Sequence, residues 1–163
     1  MDKTQLLGQL EAQLRGLAHG ANEARVAAAE EARAGATSKE RRADTRVAIE
    51  YSSLARGQSQ RAKRAFGELA TLQSFRLPEL GRGAKVTVGA IVEIEDEEGE
   101  GRTFFLAPVG AGMTLTGPDG DGFLSVVTPS SPIGRAVLGR RRGDVIDVTV
   151  AGDVREWTIT WIE

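Results

Sequence analysis

The sequence predicts an α+β fold: an N-terminal antiparallel α-helical coiled-coil hairpin followed by a small, mostly antiparallel β domain with one short helix. Two observations carry that prediction. Residues Asp2 to Phe75 contain no proline and repeat apolar residues at helical spacing. From Pro78 onward, short β-branched and aromatic runs alternate with turn-forming residues. The change falls within Leu77-Pro78-Glu79-Leu80-Gly81-Arg82-Gly83, a stretch rich in helix breakers, so the expected domains are 1–77 and 78–163.

The first helix is read from Leu7, Leu10, Leu14, Leu17, Ala21, Ala24 and Ala28, which recur at alternating steps of three and four and form a seam. Leucine gives way to alanine along the seam, so a partner helix can approach more closely towards residue 28. The pattern stops at Gly35-Ala36-Thr37-Ser38, where Gly35 suits a left-handed helix end and Thr37 or Ser38 suits the cap of a second helix. The chain is therefore expected to turn near residues 35–39. The returning helix is read from Lys39 to Gln73, with Tyr51, Ala55, Gln58, Ala62, Ala65, Phe66, Leu69 and Leu72 as its inner stripe. At 1.5 Å per residue, two arms of roughly 33 residues give a hairpin about 50 Å long.

Beyond Pro78 the predicted strands are Lys85–Ile94, Thr103–Leu106, Phe123–Val127, Val145–Val150 and Trp157–Ile162. Turns are expected at Glu98–Gly101, Gly117–Gly122 and Ala151–Asp153. One short helix interrupts them at Ser131–Gly139, with a serine cap, a proline in its first turn and a closing glycine.

Charge is unevenly divided. Residues 1–77 hold 13 Lys/Arg against 9 Asp/Glu, a net +4, and residues 78–163 hold 8 against 14, a net −6. The absence of cysteine excludes disulfides, thiolate metal sites and cysteine nucleophiles. His19, the only histidine, lies within the first helix and is read as a bystander. The start of the chain lacks the apolar core of a signal peptide, and no run approaches the roughly 20 apolar residues of a membrane span. A soluble cytoplasmic protein with no membrane contact is expected.

The run from Ser131 to Asp144, Ser-Pro-Ile-Gly-Arg-Ala-Val-Leu-Gly-Arg-Arg-Arg-Gly-Asp, resembles the C-terminal signature of the Gre transcript cleavage factors. The strand Phe123–Val127 and the ending Trp157–Ile162 fit the same family. Weaker echoes lie in Glu31-Ala32-Arg33-Ala34-Gly35 and Leu54-Ala55-Arg56-Gly57. The resemblance implies an FKBP-like second domain that docks on bacterial RNA polymerase at the rim of its secondary channel. It assigns that docking to Ser131 and Pro132, and to Ser130, which stands where relatives commonly carry aspartate. It also implies that the hairpin enters the channel, close to the nascent RNA. There, acidic tip residues help the polymerase hold a Mg²⁺ ion and a water that hydrolyses backtracked transcript. The protein itself would be no enzyme and hold no cofactor of its own; the Mg²⁺ and the hydrolysis belong to the polymerase.

At the tip this chain departs from the family pattern, because the expected acidic positions fall near Ser38 and Arg41. Glu40 and Asp44 are the only carboxylates between residues 35 and 44, and their spacing of four places them on one helix face, so they are the candidate tip and metal-binding pair. Lys39, Arg41, Arg42 and Arg46 surround them and favour contact with RNA phosphate or with acidic polymerase residues. Two outcomes stay open: stimulated cleavage, or occupation of the channel without cleavage.

Blander readings stand beside these. Glu40 and Asp44 equally suit the first turn of a helix, and the four cations equally suit a solvated tip. Ser131 and Pro132 are ordinary cap and first-turn residues, and the acidic stretch Glu93–Glu100 reads as a hairpin connection. Arg140-Arg141-Arg142 reads as a solvated turn or as a contact with nucleic acid or polymerase. Gly110-Ala111-Gly112 lacks the following helix that a phosphate loop needs. Other functions compatible with the fold are a prolyl isomerase and a coiled-coil adaptor that dimerises through its seam, although Gly35 and the return stripe favour pairing within one chain, hence a monomer.

Overall fold

A computed structural model of the protein describes residues 2–34, 45–81, 83–117, 122–150 and 152–163. Two long helices open the chain, α1 (Lys3–Ala34) and α2 (Thr45–Ser74). Asp2 begins α1, its Oδ1 accepting from the backbone N–H groups of Thr4 at 3.0 Å and Gln5 at 3.3 Å. A carboxylate there satisfies amides that the helix leaves without a partner. The predicted turn at residues 35–39 and the first residues of the predicted second helix lie outside the described residues.

Packing divides the chain into two units, Glu11–Ala70 and, separately, Met1–Leu10 with Thr71–Glu163. The sheet's unit thus includes the roots of both helices, a different division from the 1–77 and 78–163 expected. The stretches flanking Glu11–Ala70, up to Leu10 and from Thr71, belong to one and the same unit, so α1 and α2 run antiparallel.

Within Glu11–Ala70, α1 buries Leu14, Ala18 and Ala28, and α2 buries Ala62 and Leu69 while half-burying Ala55, Gln58 and Ala65. The change from leucine to alanine away from the helix roots is therefore present on both helices, and small residues let helix axes approach. Two predicted seam residues are corrected. Leu17 is 57% exposed, with Ala18 buried instead, and Phe66 is 45% exposed, while Ala62 of the expected stripe is buried. The buried row of α1 runs Leu6, Leu10, Leu14, Ala18, in steps of four. Each such step turns about 40° around an α-helix of 3.6 residues per turn, so the row leaves the strict three-four stripe on which Leu17 sits.

The other unit is built on a six-stranded sheet. Its strands are β1 (Ile91–Asp96), β2 (Gly101–Leu106), β3 (Thr114–Thr116), β4 (Phe123–Val127), β5 (Val145–Val150) and β6 (Asp153–Ile162), in the order β3-β4-β2-β1-β6-β5. The short helix α3 (Pro132–Val137) lies between β4 and β5 in the chain. Side chains alternate across the sheet. One face buries Val92, Ile94, Phe104, Leu106, Ile146, Val148, Trp157 and Ile159, and Val137 of α3 joins this core. Burying each large side chain contributes about 1.5–3 kcal/mol.

The sheet is mostly antiparallel, as expected, with β2 and β4 paired in parallel, Phe104 opposite Ser125 through Leu106 opposite Val127. Three features differ from the sequence pattern. The predicted strand Lys85–Ile94 begins only at Ile91. Gly89 has φ +97°, and a Cβ on it would stand 2.6 Å from Pro78 Cδ and 3.2 Å from Phe75 Cζ, so the chain turns under the end of α2 before it enters the sheet. A short strand, β3, was not read from Thr114–Thr116, where Met113 and Gly117 leave little alternation to see. Finally, Trp157 and Trp161, an even number of residues apart and so of one parity along a regular strand, do not share a face. The β1–β6 register passes from Glu93 opposite Trp161 to Ile94 opposite Ile159, leaving Thr160 as an extra residue. That bulge reverses parity, so Trp157 joins the core while Trp161 shares the face of Glu93. The Thr160 hydroxyl donates to Glu93, 3.1 Å to Oε1 and 3.3 Å to the carbonyl oxygen.

The root of α1 is fixed to the edge of this sheet. The Gln9 carboxamide donates to the Thr116 carbonyl and accepts from the Thr116 N–H, both at 2.9 Å.

Candidate functional site

The docking segment expected from the sequence, Ser130-Ser131-Pro132, forms the entry to α3. Ser131 is the N-cap, and its Oγ accepts from Gly134 N–H at 3.0 Å. The same hydroxyl donates to the Thr128 carbonyl at 2.8 Å, and the Ser131 N–H reaches that carbonyl at 3.0 Å. Thr128 is the buried polar residue of the segment, and its hydroxyl bonds to Ser130 Oγ at 3.0 Å. Pro132 occupies the first turn, where a missing N–H costs nothing. The helix can follow so tightly because residue 134 is glycine: a Cβ there would lie 2.0 Å from the Thr128 oxygen.

The rest of the motif closes the helix and returns the chain to the sheet. Leu138 N–H bonds to the Gly134 carbonyl at 3.1 Å, and Gly139, at φ +78°, sends its N–H to Val86 at 2.8 Å. Val86 N–H reaches the Arg140 carbonyl at 2.7 Å in return. Asp144 Oδ2 accepts from Arg141 N–H at 2.8 Å, and the Asp144 carbonyl accepts from Ile159 at 3.0 Å. The Arg141 guanidinium bonds to the Gly83 carbonyl, which fastens the segment before β1 to this turn. Ser131, Pro132, Gly134, Gly139 and Asp144 thus each have a local mechanical reason. What remains turned to solvent is Ser130, Pro132, Arg135, Leu138 and Arg140 to Arg142, with Ser131 half-buried.

Of the candidate tip residues, Lys39, Glu40, Arg41, Arg42 and Asp44 lie outside the described residues, and Arg46 falls in the first turn of α2. Among the described residues no group of three or more His, Asp or Glu side chains is placed to hold a metal ion. Nor is any helix among them long and apolar enough to cross a membrane. Of the acidic run Glu93–Glu100, expected to be a hairpin connection, Glu93–Asp96 belong to β1 and only Glu97–Glu100 form the turn, where Asp96 Oδ1 accepts from Glu98 and Glu100 N–H at 3.0 and 2.8 Å. Gly110-Ala111-Gly112 leads into β3 rather than into a helix. Thr128 and Gly134 emerge as constraints, and Arg135 and Leu138 as surface, in the structure rather than in the sequence pattern. The signal available for the last two was the step of three from Pro132 to Arg135 and from Arg135 to Leu138.

Comparison with known proteins agrees with this local picture. Residues 82–163 match the family described as Transcription elongation factor, GreA/GreB, C-term. The chain is similar to the transcription elongation factor GreA of Verminephrobacter eiseniae, 32% identical over 57% of this chain and 54% of that protein. It is also similar to GreA of Methylococcus capsulatus, 36% identical over 61% of this chain and 58% of that protein. These matches therefore span little more than half the length of the relatives. The solved structure of the transcription factor Gfh1 aligns over 94% of this chain and 92% of that one, at 22% identity and a TM-score of 0.42. With the family match covering half of the chain and falling on the domain that carries the Ser131–Asp144 motif, the chain belongs to the GreA/GreB family of transcription elongation factors.

Proposed function

We propose that this protein is a transcription elongation factor that binds bacterial RNA polymerase at its secondary channel. In this reading the β domain docks through Ser130, Ser131 and Pro132, and the hairpin carries its turn towards the polymerase active site and the nascent RNA. The observation that carries the reading is the Ser131–Asp144 segment. Its capped helix and double turn present a Ser-Pro edge to solvent inside the domain that the family match covers. The protein acts as a cytoplasmic monomer, so a measured solution mass is expected to equal the 17.4 kDa of one chain.

Chemistry at the tip rests on Glu40 and Asp44, which would supply oxygen ligands to the polymerase's Mg²⁺. The two carboxylates would help hold the hard cation, and the ion's charge would make a bound water easier to deprotonate for hydrolysis of backtracked RNA. A second reading is favoured by the four cations Lys39, Arg41, Arg42 and Arg46, which weaken attraction for Mg²⁺. In it the hairpin occupies the channel and restrains the polymerase without cleavage.

A transcript cleavage assay on stalled polymerase complexes separates the two. Shortened RNA that disappears with Glu40→Ala and Asp44→Ala is the result expected of a cleavage factor. Binding to polymerase without shortened RNA leaves the channel occupant. Failure to bind polymerase overturns both.

A further inference from the structure

The outer side of α3 is a surface that its packing does not explain. Gly134 and Val137 face inward, and Ile133 and Ala136 pack against the core. Pro132, Arg135 and Leu138, each three residues from the last, are exposed in one row. Leu138 is 44% exposed, a large apolar side chain left in water. Cations flank it. Arg140 and Arg142 are exposed on the turn after the helix, and Lys85 is exposed beside Val86, whose backbone is bonded to Gly139 and Arg140. None of Arg135, Arg140 and Arg142 has an ion-pair partner among the described residues. The one carboxylate inside the turn, Asp144, is taken up by Arg141 N–H. All this stands in a half of the chain whose net charge is −6, so the row is a basic island on an acidic domain.

We propose that Arg135, Leu138, Arg140 and Arg142 form a second docking element, continuous with Ser130–Pro132, that grips an acidic protein surface on RNA polymerase. The inference rests on the polymerase-binding reading above and adds the chemistry of the partner's face. Charge complementarity sets the sign: guanidiniums without an ion-pair partner among the described residues, outnumbering the one carboxylate of the turn, attract acidic side chains. The exposed Leu138 and Pro132 select protein over nucleic acid, because a phosphate backbone offers apolar side chains nothing to bury against, whereas a protein surface does. A second copy of this chain is disfavoured, since a two-fold contact through α3 sets arginine against arginine.

The experiment measures binding of the full chain to core RNA polymerase at low and high ionic strength, for wild type, Arg135→Glu, Leu138→Asp and the Arg140→Glu/Arg142→Glu pair. Circular dichroism and thermal melting establish that each variant is folded. Charge reversal is expected to weaken binding about tenfold at low salt and to flatten the salt dependence. Leu138→Asp weakens it at both salt concentrations. If wild type binds and all variants bind equally, the second docking element is refuted while the polymerase reading stands. If wild type does not bind, the polymerase reading itself fails. A short single-stranded RNA and analytical ultracentrifugation serve as the other arms. Loss of RNA binding or of self-association in the variants, with polymerase binding intact, overturns the proposed partner.

Discussion

Between Thr128 and Asp144 the backbone is held by hydrogen bonds to particular residues, whereas along Glu11–Ala70 it is held by helix ladders and a seam of repeated small and branched side chains. In the first region Thr128 O accepts two bonds from Ser131 and blocks a Cβ at Gly134, and Gly139 and Arg140 are each bonded to Val86. In the second, buried residues are leucine and alanine at positions that can be exchanged for a neighbour a hundred degrees round the helix, as Ala18 stands in for Leu17. The loop has one solution and the seam has several. The match to the family's C-terminal domain, residues 82–163, takes in the whole of the first region.

Substitution at Gly134 is the hardest test of that contrast. Gly134→Ala sets a methyl group against a backbone oxygen that cannot move without breaking the Ser131 cap, and the expected loss is about 3 kcal/mol in urea unfolding. Full stability in that variant would mean the loop has more freedom than described. In the seam, Leu14→Ala is expected to cost about 2.5 kcal/mol, while Leu17→Ala, one turn away, stays within about 0.5 kcal/mol. Thermal melts followed by circular dichroism compare the two, and equal losses would put the seam back on its three-four stripe. Ser131→Ala is the mildest, about 1 kcal/mol for the lost cap. A polymerase-binding defect larger than that stability loss would separate docking from folding at this residue.

The two helices and α3 were legible in the sequence because each follows from local chemistry. Periodicity marks Leu10 and Leu14, Pro78 ends helical pattern, and Ser131 with Pro132 starts a helix whatever surrounds it. The missed features are settled by residues far apart in the chain. The parallel pairing of β2 with β4 depends on where Leu106 and Val127 meet. The bulge at Thr160 exists only opposite Glu93, and without it Trp157 and Trp161 look equivalent. The phase of the seam depends on the facing helix, so Leu17 and Ala18 cannot be ranked from α1 alone. For the candidate site, the Ser-Pro edge was legible as a motif, but the row Pro132, Arg135, Leu138 becomes a surface only once Val137 is seen to turn inward.

At Thr116 the carboxamide of Gln9 gives and takes the two bonds that a neighbouring strand would give and take, and β3 stands at the margin of the sheet. Sheet margins with free amides and carbonyls recruit other chains and seed aggregates. One side chain from the first turns of α1 closes that margin from within, so the beginning of the chain guards solubility as well as starting the hairpin.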